Sequence, residues 1–186
     1  MDDNKIGKTI LRISSALRRL SIKHHVTGGV VSSYYGVPRL TIDVDFSVML
    51  PSGHRDLPAI VAELEDSFDI DLESSRGALA SHGMFQALDK QTYFKVDFHA
   101  KQIVPGELER CVKREIFPGV VVPIASVEDC IMSKLIWWTM GSEKSWHDAV
   151  HVLQRQRTVS LDLLGELATH LQLSTELDML LQEALR

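Results

Sequence analysis

Asp43 and Asp45 stand one residue apart in Leu40-Thr41-Ile42-Asp43-Val44-Asp45-Phe46, a short way after the pair Gly28-Gly29. Side chains alternate faces along a β-strand, so the two aspartates point one way while Ile42, Val44 and Phe46 face a core. Two carboxylates on one face repel unless a cation separates them. A divalent metal suits that role, because Mg²⁺ takes hard oxygen ligands, commonly one or two carboxylates together with substrate phosphates. A third carboxylate is available in Thr92-Tyr93-Phe94-Lys95-Val96-Asp97-Phe98-His99, where Phe94, Val96 and Phe98 share one face and Lys95, Asp97 and His99 the other. If the two strands are neighbours, three aspartates converge at a sheet edge. Such a set can hold two Mg²⁺ about 4 Å apart, one activating an attacking hydroxyl and the other steadying a leaving pyrophosphate. Asp97 then serves as a metal ligand or as general base toward the hydroxyl. The competing reading of Asp97 is an ordinary solvent-facing residue of an alternating strand. The chemistry that these residues suggest is phosphoryl or nucleotidyl transfer.

Gly28 and Gly29 have a mechanical reason to precede such a site. Without Cβ atoms the backbone can approach a phosphate, and a helix that follows offers its N-terminal N–H groups. A Gly-Gly pair on its own is more often a turn. Its weight comes from its spacing to Asp43 and Asp45.

The elements that must position these residues are read from periodicity. Apolar residues from Ile6 to Leu20 recur at helical spacing, giving an amphipathic opening helix. His25-Val26-Thr27 is extended, Gly28-Gly29 a break, and Val30 to Tyr35 a short helix ended by Gly36 and Pro38. Arg39 to Met49 alternates as a strand, Pro51, Ser52 and Gly53 mark a turn, and Leu57 to Phe68 returns to helical spacing. Ala78 to Leu88 reads as a strand that forms a hairpin with Thr92 to His99. Val120-Val121-Val122 is a short buried strand. Helices follow from Ser126, which caps one with Asp129 three residues on, to about Met140, then over 142–154, 160–170 and 174–185. Fold class is therefore mixed α/β for residues 1–125, with helices over 126–186 packed on that core. The best linker candidate, a short one, lies around Gln156 to Val159.

Composition narrows the possibilities. The chain has 186 residues, of which 45% are hydrophobic, enough for one well-packed domain. No apolar run approaches the roughly 20 residues needed to span a bilayer, and the first residues lack a secretory pattern, so a cytoplasmic protein is expected. Cys111 and Cys130 are too few for a disulfide framework and lack zinc-site spacing. A formal net charge of -5 argues against an extensive nucleic-acid surface, while leaving a nucleotide or one end of a structured RNA open. His24-His25 is discounted as a metal pair, because adjacent residues of a strand face opposite ways. Trp137-Trp138 reads as core or interface rather than as a stacking platform.

Thr27-Gly28-Gly29 followed by Gly36-Val37-Pro38-Arg39-Leu40-Thr41-Ile42-Asp43-Val44-Asp45-Phe46 resembles the signature of the nucleotidyltransferase fold, the superfamily related to DNA polymerase β. It is most similar to the small prokaryotic branch of minimal nucleotidyltransferases and abortive-infection type toxins of toxin–antitoxin systems. The resemblance covers about Val26 to Leu153. It implies a mixed sheet flanked by helices, with Gly28 and Gly29 for the phosphates, Asp43, Asp45 and Asp97 for metal, and Mg²⁺ or Mn²⁺ as the cofactor. It further implies that Lys134, in Asp129-Cys130-Ile131-Met132-Ser133-Lys134-Leu135, reaches a phosphate, and that Asp148 answers an acidic element after that helix and pairs with Lys134. A snorkelling surface lysine is the competing reading of Lys134. Arg39 and Thr41 are expected to set the loop and strand of the nucleotide site. The chain departs from the wider pattern where Gly29 replaces a serine whose hydroxyl can touch a phosphate. The implied activity is transfer of an NMP from an NTP to a hydroxyl on a tRNA, a protein or a small molecule, with an antitoxin as partner. The alternatives are a nucleotide- or partner-binding module of the same fold without turnover, and a two-metal hydrolase.

Overall fold

A computed structural model describes residues 3–50 and 56–185. In chain order the helices are α1 (Asp3–Arg19), α2 (Gly28–Tyr35), α3 (Leu57–Leu64), α4 (Leu72–His82), α5 (Glu107–Arg110), α6 (Val127–Thr139), α7 (Glu143–Arg155), α8 (Leu161–Leu171) and α9 (Ser174–Ala184). The strands are β1 (His24–Thr27), β2 (Asp43–Val48), β3 (Phe68–Asp69), β4 (Met84–Asp89), β5 (Lys95–His99), β6 (Val112–Phe117) and β7 (Val120–Ile124). These strands form one mixed sheet in the order β3-β4-β5-β2-β1-β7-β6, parallel at β2–β5 and β1–β7 and antiparallel elsewhere.

Directly opposed residues point to the same face, so each cross-strand row is a line of side chains. On one face a first row runs Asp69, Leu88, Lys95, Asp43. A second runs Gln86, Asp97, Asp45, Thr27, and a third Met84, His99, Ser47, His25. The opposite face carries Val26, Val44, Phe46, Phe85, Val96 and Phe98, all at most 1% exposed. Phe85 and Phe98 stack with ring centroids 4.7 Å apart, and Phe46 lies 6.1 Å from Phe98. Ile6, Ile10, Ile13 and Leu17 of α1 and Leu57, Ile60 and Leu64 of α3 close the same apolar cluster. Helices α2, α6 and α7 pack on one another, α2 also against β1 and β2. The apolar cluster runs on without a break into α8 and α9 through Leu164, Leu167, Leu177 and Leu180.

One polar knot ties α1 to the β4–β5 turn. Asp89 is fully buried and accepts from Thr9 Oγ1 at 2.5 Å, from the backbone N–H of Gln91 at 2.9 Å and of Thr92 at 3.2 Å, and from Arg12. Burial opposes its charge, but Thr9, the N–H of Gln91 and the hydroxyl and N–H of Thr92 hold its carboxyl below the ordinary range. Asp89→Ala strands Thr9 and Arg12 and is expected to cost about 2–3 kcal/mol. A midpoint drop of roughly 4–12 °C in thermal unfolding would report it.

The structure revises several sequence expectations. Residues 78–82 belong to α4 rather than to a strand, because Asp71 caps the helix by accepting from Ser74 N at 2.7 Å and Gly83 ends it in the left-handed region at φ 68. The strand begins only at Met84. Leu57 to Phe68 is split: the helix stops at Leu64, and Phe68 starts β3. The strand expected from Arg39 is ordered as one only from Asp43, so Ile42 is 73% exposed instead of facing the core. Gly28 and Gly29 open α2 rather than break the chain before it. Strands β3 and β6 and the short α5 escaped the periodicity reading. The turn expected at Pro51, Ser52 and Gly53 lies outside the described residues.

Candidate active site

Asp45 and Asp97 are ladder partners on adjacent strands, and Asp43 shares their face two residues upstream. The three aspartates thus come together, with Lys95 opposite Asp43. Each is already engaged. Lys95 Nζ is 3.0 Å from Asp97 Oδ2, His99 Nε2 is 3.2 Å from Asp45 Oδ1, and Thr41 Oγ1 donates to Asp43 Oδ1 at 2.8 Å. Among the described residues no three acidic, histidine or cysteine side chains close into a ready-made metal cage. One oxygen is left over: Asp97 Oδ1 is buried and has no donor. A buried carboxylate oxygen without a donor is costly.

Asp45 explains the glycines. Burial opposes its charge, yet the hydrogen bond and proximity of His99, the charge of Lys134 and the N–H of Gly29 keep its carboxyl below the usual range. The carboxylate therefore sits at the N-terminus of α2, where Thr27 offers no side-chain cap. Gly28 has φ +68, and a Cβ there would stand 1.9 Å from Asp45 Oδ2. Gly28→Ala must push the carboxylate aside and strain the backbone. Its expected result is a loss of about 1–3 kcal/mol, read by denaturant unfolding of the purified variant. Gly29 faces elsewhere: its added Cβ would meet Thr41 Oγ1 at 2.9 Å and Arg39 Nη2 at 3.2 Å.

The second half of the site is a buried ion network. Asp148 on α7 accepts from Arg39 Nε at 2.8 Å and Nη2 at 2.9 Å, from Ser32 Oγ at 3.0 Å, and pairs with Lys134 Nζ at 2.9 Å. Lys134 is 4% exposed on α6, so it is not a snorkelling surface residue. Burial raises the Asp148 carboxyl, but Arg39 and Lys134 outweigh it and push it down to about 2. Lys95 also keeps its proton more firmly than usual: burial opposes this, and Asp97 overrides it.

A model of the family described as nucleotidyl transferase AbiEii toxin, type IV toxin–antitoxin system, matches residues 25–174. The chain belongs to this family. AbiEii proteins are nucleotidyltransferases, and this AbiEii-family chain carries its three aspartates, both glycines, Lys134 and Asp148 inside the matched span. No curated protein matches it. Among solved structures it is similar to the solution structure of the antibiotic-resistance factor ANT(2'')-Ia, at 15% identity and a TM-score of 0.60, covering 91% of this chain and 92% of that one. That likeness concerns the fold, a nucleotidyltransferase-like mixed sheet with flanking helices. No helix of the described residues is long and apolar enough to cross a membrane.

Sequence reasoning did not single out Lys95 or Ser32 in this AbiEii site, and left His99 undecided. Lys95 and His99 were visible as residues sharing the face of Asp97, but only the β2–β5 register shows which carboxylate each one meets. Ser32 has no sequence signal. Trp138 is a packing residue, 4.6 Å from Trp146 between ring centroids. Trp137 differs: its ring lies edge-on to His99 at 6.5 Å, and the residue is 36% exposed. His24 bonds Ser14 Oγ and His25 points to the opposite face near Glu107, so the two do not form a metal pair. Cys130 is a packing thiol that burial pushes up to about 12.

Proposed function

We propose that this AbiEii-family protein moves an NMP from an NTP to a hydroxyl acceptor, with Mg²⁺ or Mn²⁺ held by Asp43, Asp45 and Asp97. The observation that carries the reading is the second row of the sheet, in which Asp97 and Asp45 stand side by side with Asp45 tucked under the start of α2. Two features of these residues support a metal. Asp97 Oδ1 lacks a donor. In addition Lys95, Lys134 and Arg39 face Asp43, Asp45, Asp97 and Asp148, three cations against four carboxylates, so the site has one negative charge to neutralise before it can admit a triphosphate. Bound there, a divalent cation would neutralise the developing charge on the phosphates and favour the departure of pyrophosphate.

The chain's own residues supply the rest. Lys134 and Arg39, held by Asp148, would steady the β- and γ-phosphates beside the N-terminus of α2. Asp97 would take the proton of the attacking hydroxyl. Lys95 and His99 orient Asp97 and Asp45. As a member of a type IV toxin–antitoxin family, the protein would have an antitoxin partner. The acceptor is a tRNA end, a protein hydroxyl or a small molecule.

Calorimetric titration with ATP, CTP, GTP and UTP in the presence of Mg²⁺, followed by measurement of pyrophosphate release, tests the reading. Binding by one or more of them that weakens in Asp43→Ala is expected. No binding by any nucleotide, with Asp43→Ala behaving like the parent, would remove the transferase proposal.

A further inference from the structure

A cavity of about 420 Å³ lies between α4 and the β3–β4 edge, walled by Ile70, Asp71, Ser74, Ala78, Met84 and Gln86. Its floor is not remote from the carboxylates. Gln86 and Met84 are the ladder partners of Asp97 and His99, on the same face. Neighbouring strands lie about 4.8 Å apart, so the cavity wall begins one strand from Asp97 and two from Asp45.

The second row fixes a direction. At its Thr27 end lie Gly28, the start of α2 and the Lys134–Arg39 cations, which suit the leaving pyrophosphate. In phosphoryl transfer the attacking and leaving oxygens lie roughly in line through phosphorus. The acceptor must then arrive from the opposite end of the row, over Asp97 and Gln86. Gln86, at that end of the row, is one of the residues that wall the cavity.

We infer that this cavity is the acceptor subsite, and that it takes a small hydroxyl-bearing molecule of neutral or positive charge rather than an RNA end. The inference rests on the transferase reading above and narrows its acceptor. Volumes of about 300–1,000 Å³ are typical of small-molecule sites. Of the described residues lining it, none is a lysine or arginine, whereas Asp69 and Asp71 both contribute carboxylates. Asp71 also caps α4, so the helix N-terminus is already satisfied and offers little to a phosphate. A phosphodiester chain needs cations along its path. Alcohols and amines find instead carboxylates, Ser74, His82 and Gln86 beside apolar Ile70, Ala78 and Met84. In the step itself the acceptor O–H gives its proton to Asp97, its oxygen bonds the α-phosphorus, the bond from that phosphorus to the bridging oxygen breaks, and pyrophosphate leaves with the electron pair.

The test uses the full chain, Mg²⁺ and α-³²P-labelled NTP. Three acceptor pools from one cell extract are offered separately: the filtrate below about 1 kDa, total RNA and total protein. Two variants accompany the parent, Ala78→Trp, which fills the cavity, and Gln86→Lys, which adds a cation to its wall. Label entering the filtrate pool, reduced at least tenfold by both variants while their Mg²⁺–NTP affinity stays within twofold of the parent's, is the expected result. If Ala78→Trp does not fold, Gln86→Lys decides, since a cation there suppresses transfer to a cationic or neutral acceptor and promotes transfer to a phosphate-bearing one. Label entering RNA or protein instead, or both folded variants transferring at the parental rate, overturns the subsite. Label that stays on the nucleotide with every pool, while NTP still binds, overturns it too. A parent that binds no NTP is the separate failure of the transferase reading.

Discussion

Asp45→Asn abolishes nucleotidyl transfer, by about 10³-fold or more in kcat/KM, while the protein stays folded. The substitution keeps the shape of the side chain under Gly28 but deletes the charge that meets the α2 N-terminus and that the proposed divalent cation would need. A 10³-fold loss corresponds to about 4 kcal/mol of transition-state stabilisation, the scale expected when a charge-neutralising group at a reacting phosphate is removed. Stability should change little. The side chain is 20% exposed, and its partner His99 retains its place beside Trp137. Steady-state kinetics beside circular dichroism separates the two effects. Activity within tenfold of the parent would show that Asp45 is a helix-capping residue and nothing more.

The second large effect is on stability. Asp148→Ala leaves Lys134, 4% exposed, without its carboxylate and frees Arg39 and Ser32 at the same stroke. Removing one member of a buried pair costs about 3–5 kcal/mol, because the remaining charge keeps its desolvation penalty. For a chain of this size the melting temperature should fall by roughly 6–20 °C. The combined change Lys134→Met with Asp148→Leu should recover most of that loss, since apolar replacements of buried pairs are often close to neutral, yet it should not restore transfer. Asp148 also gives the acid side of the stability profile a sign. Its folded-state pKa of about 2 lies below the ordinary 3.8, so the unfolded chain takes up the proton first as pH falls. The stability it confers is complete above about pH 5 and drains away between about pH 4 and 2. In Asp148→Asn that part of the acid slope should flatten, as denaturant midpoints measured across this range would show.

Much of the site was readable before any coordinates. Period-two alternation alone put Asp43 with Asp45 and Asp97 with His99, and the hydrophobic residues between them are indeed the buried face, apart from Ile42 at the frayed entry to β2. What alternation cannot supply is which strands are neighbours and in what register. Without that, Lys95 was one more exposed lysine and Gln86 an unremarked residue in what read as a longer strand. The missed α4 has a local cause. Its apolar residues are sparse and only Ser75 is buried, so no stripe betrays it, while the Asp71 cap and Gly83 terminus that define it are weak signals one at a time. Strand β6 was hidden for the opposite reason: it is an edge strand rich in charge, Val112-Lys113-Arg114-Glu115, that borrows its order from β7.

Because the α-carbon of Gly29 is turned toward Thr41 and Arg39, and not toward open space, its identity is coupled to the segment that leads into β2. A serine there would crowd the threonine hydroxyl that holds Asp43 and the guanidinium that holds Asp148. Introducing it would therefore disturb both halves of the centre through their shared neighbour, unless positions 39 and 41 changed in concert. The glycine and the Arg-x-Thr entry thus form one packing unit, and Gly29→Ser made alone should fail where it succeeds beside smaller residues at positions 39 and 41.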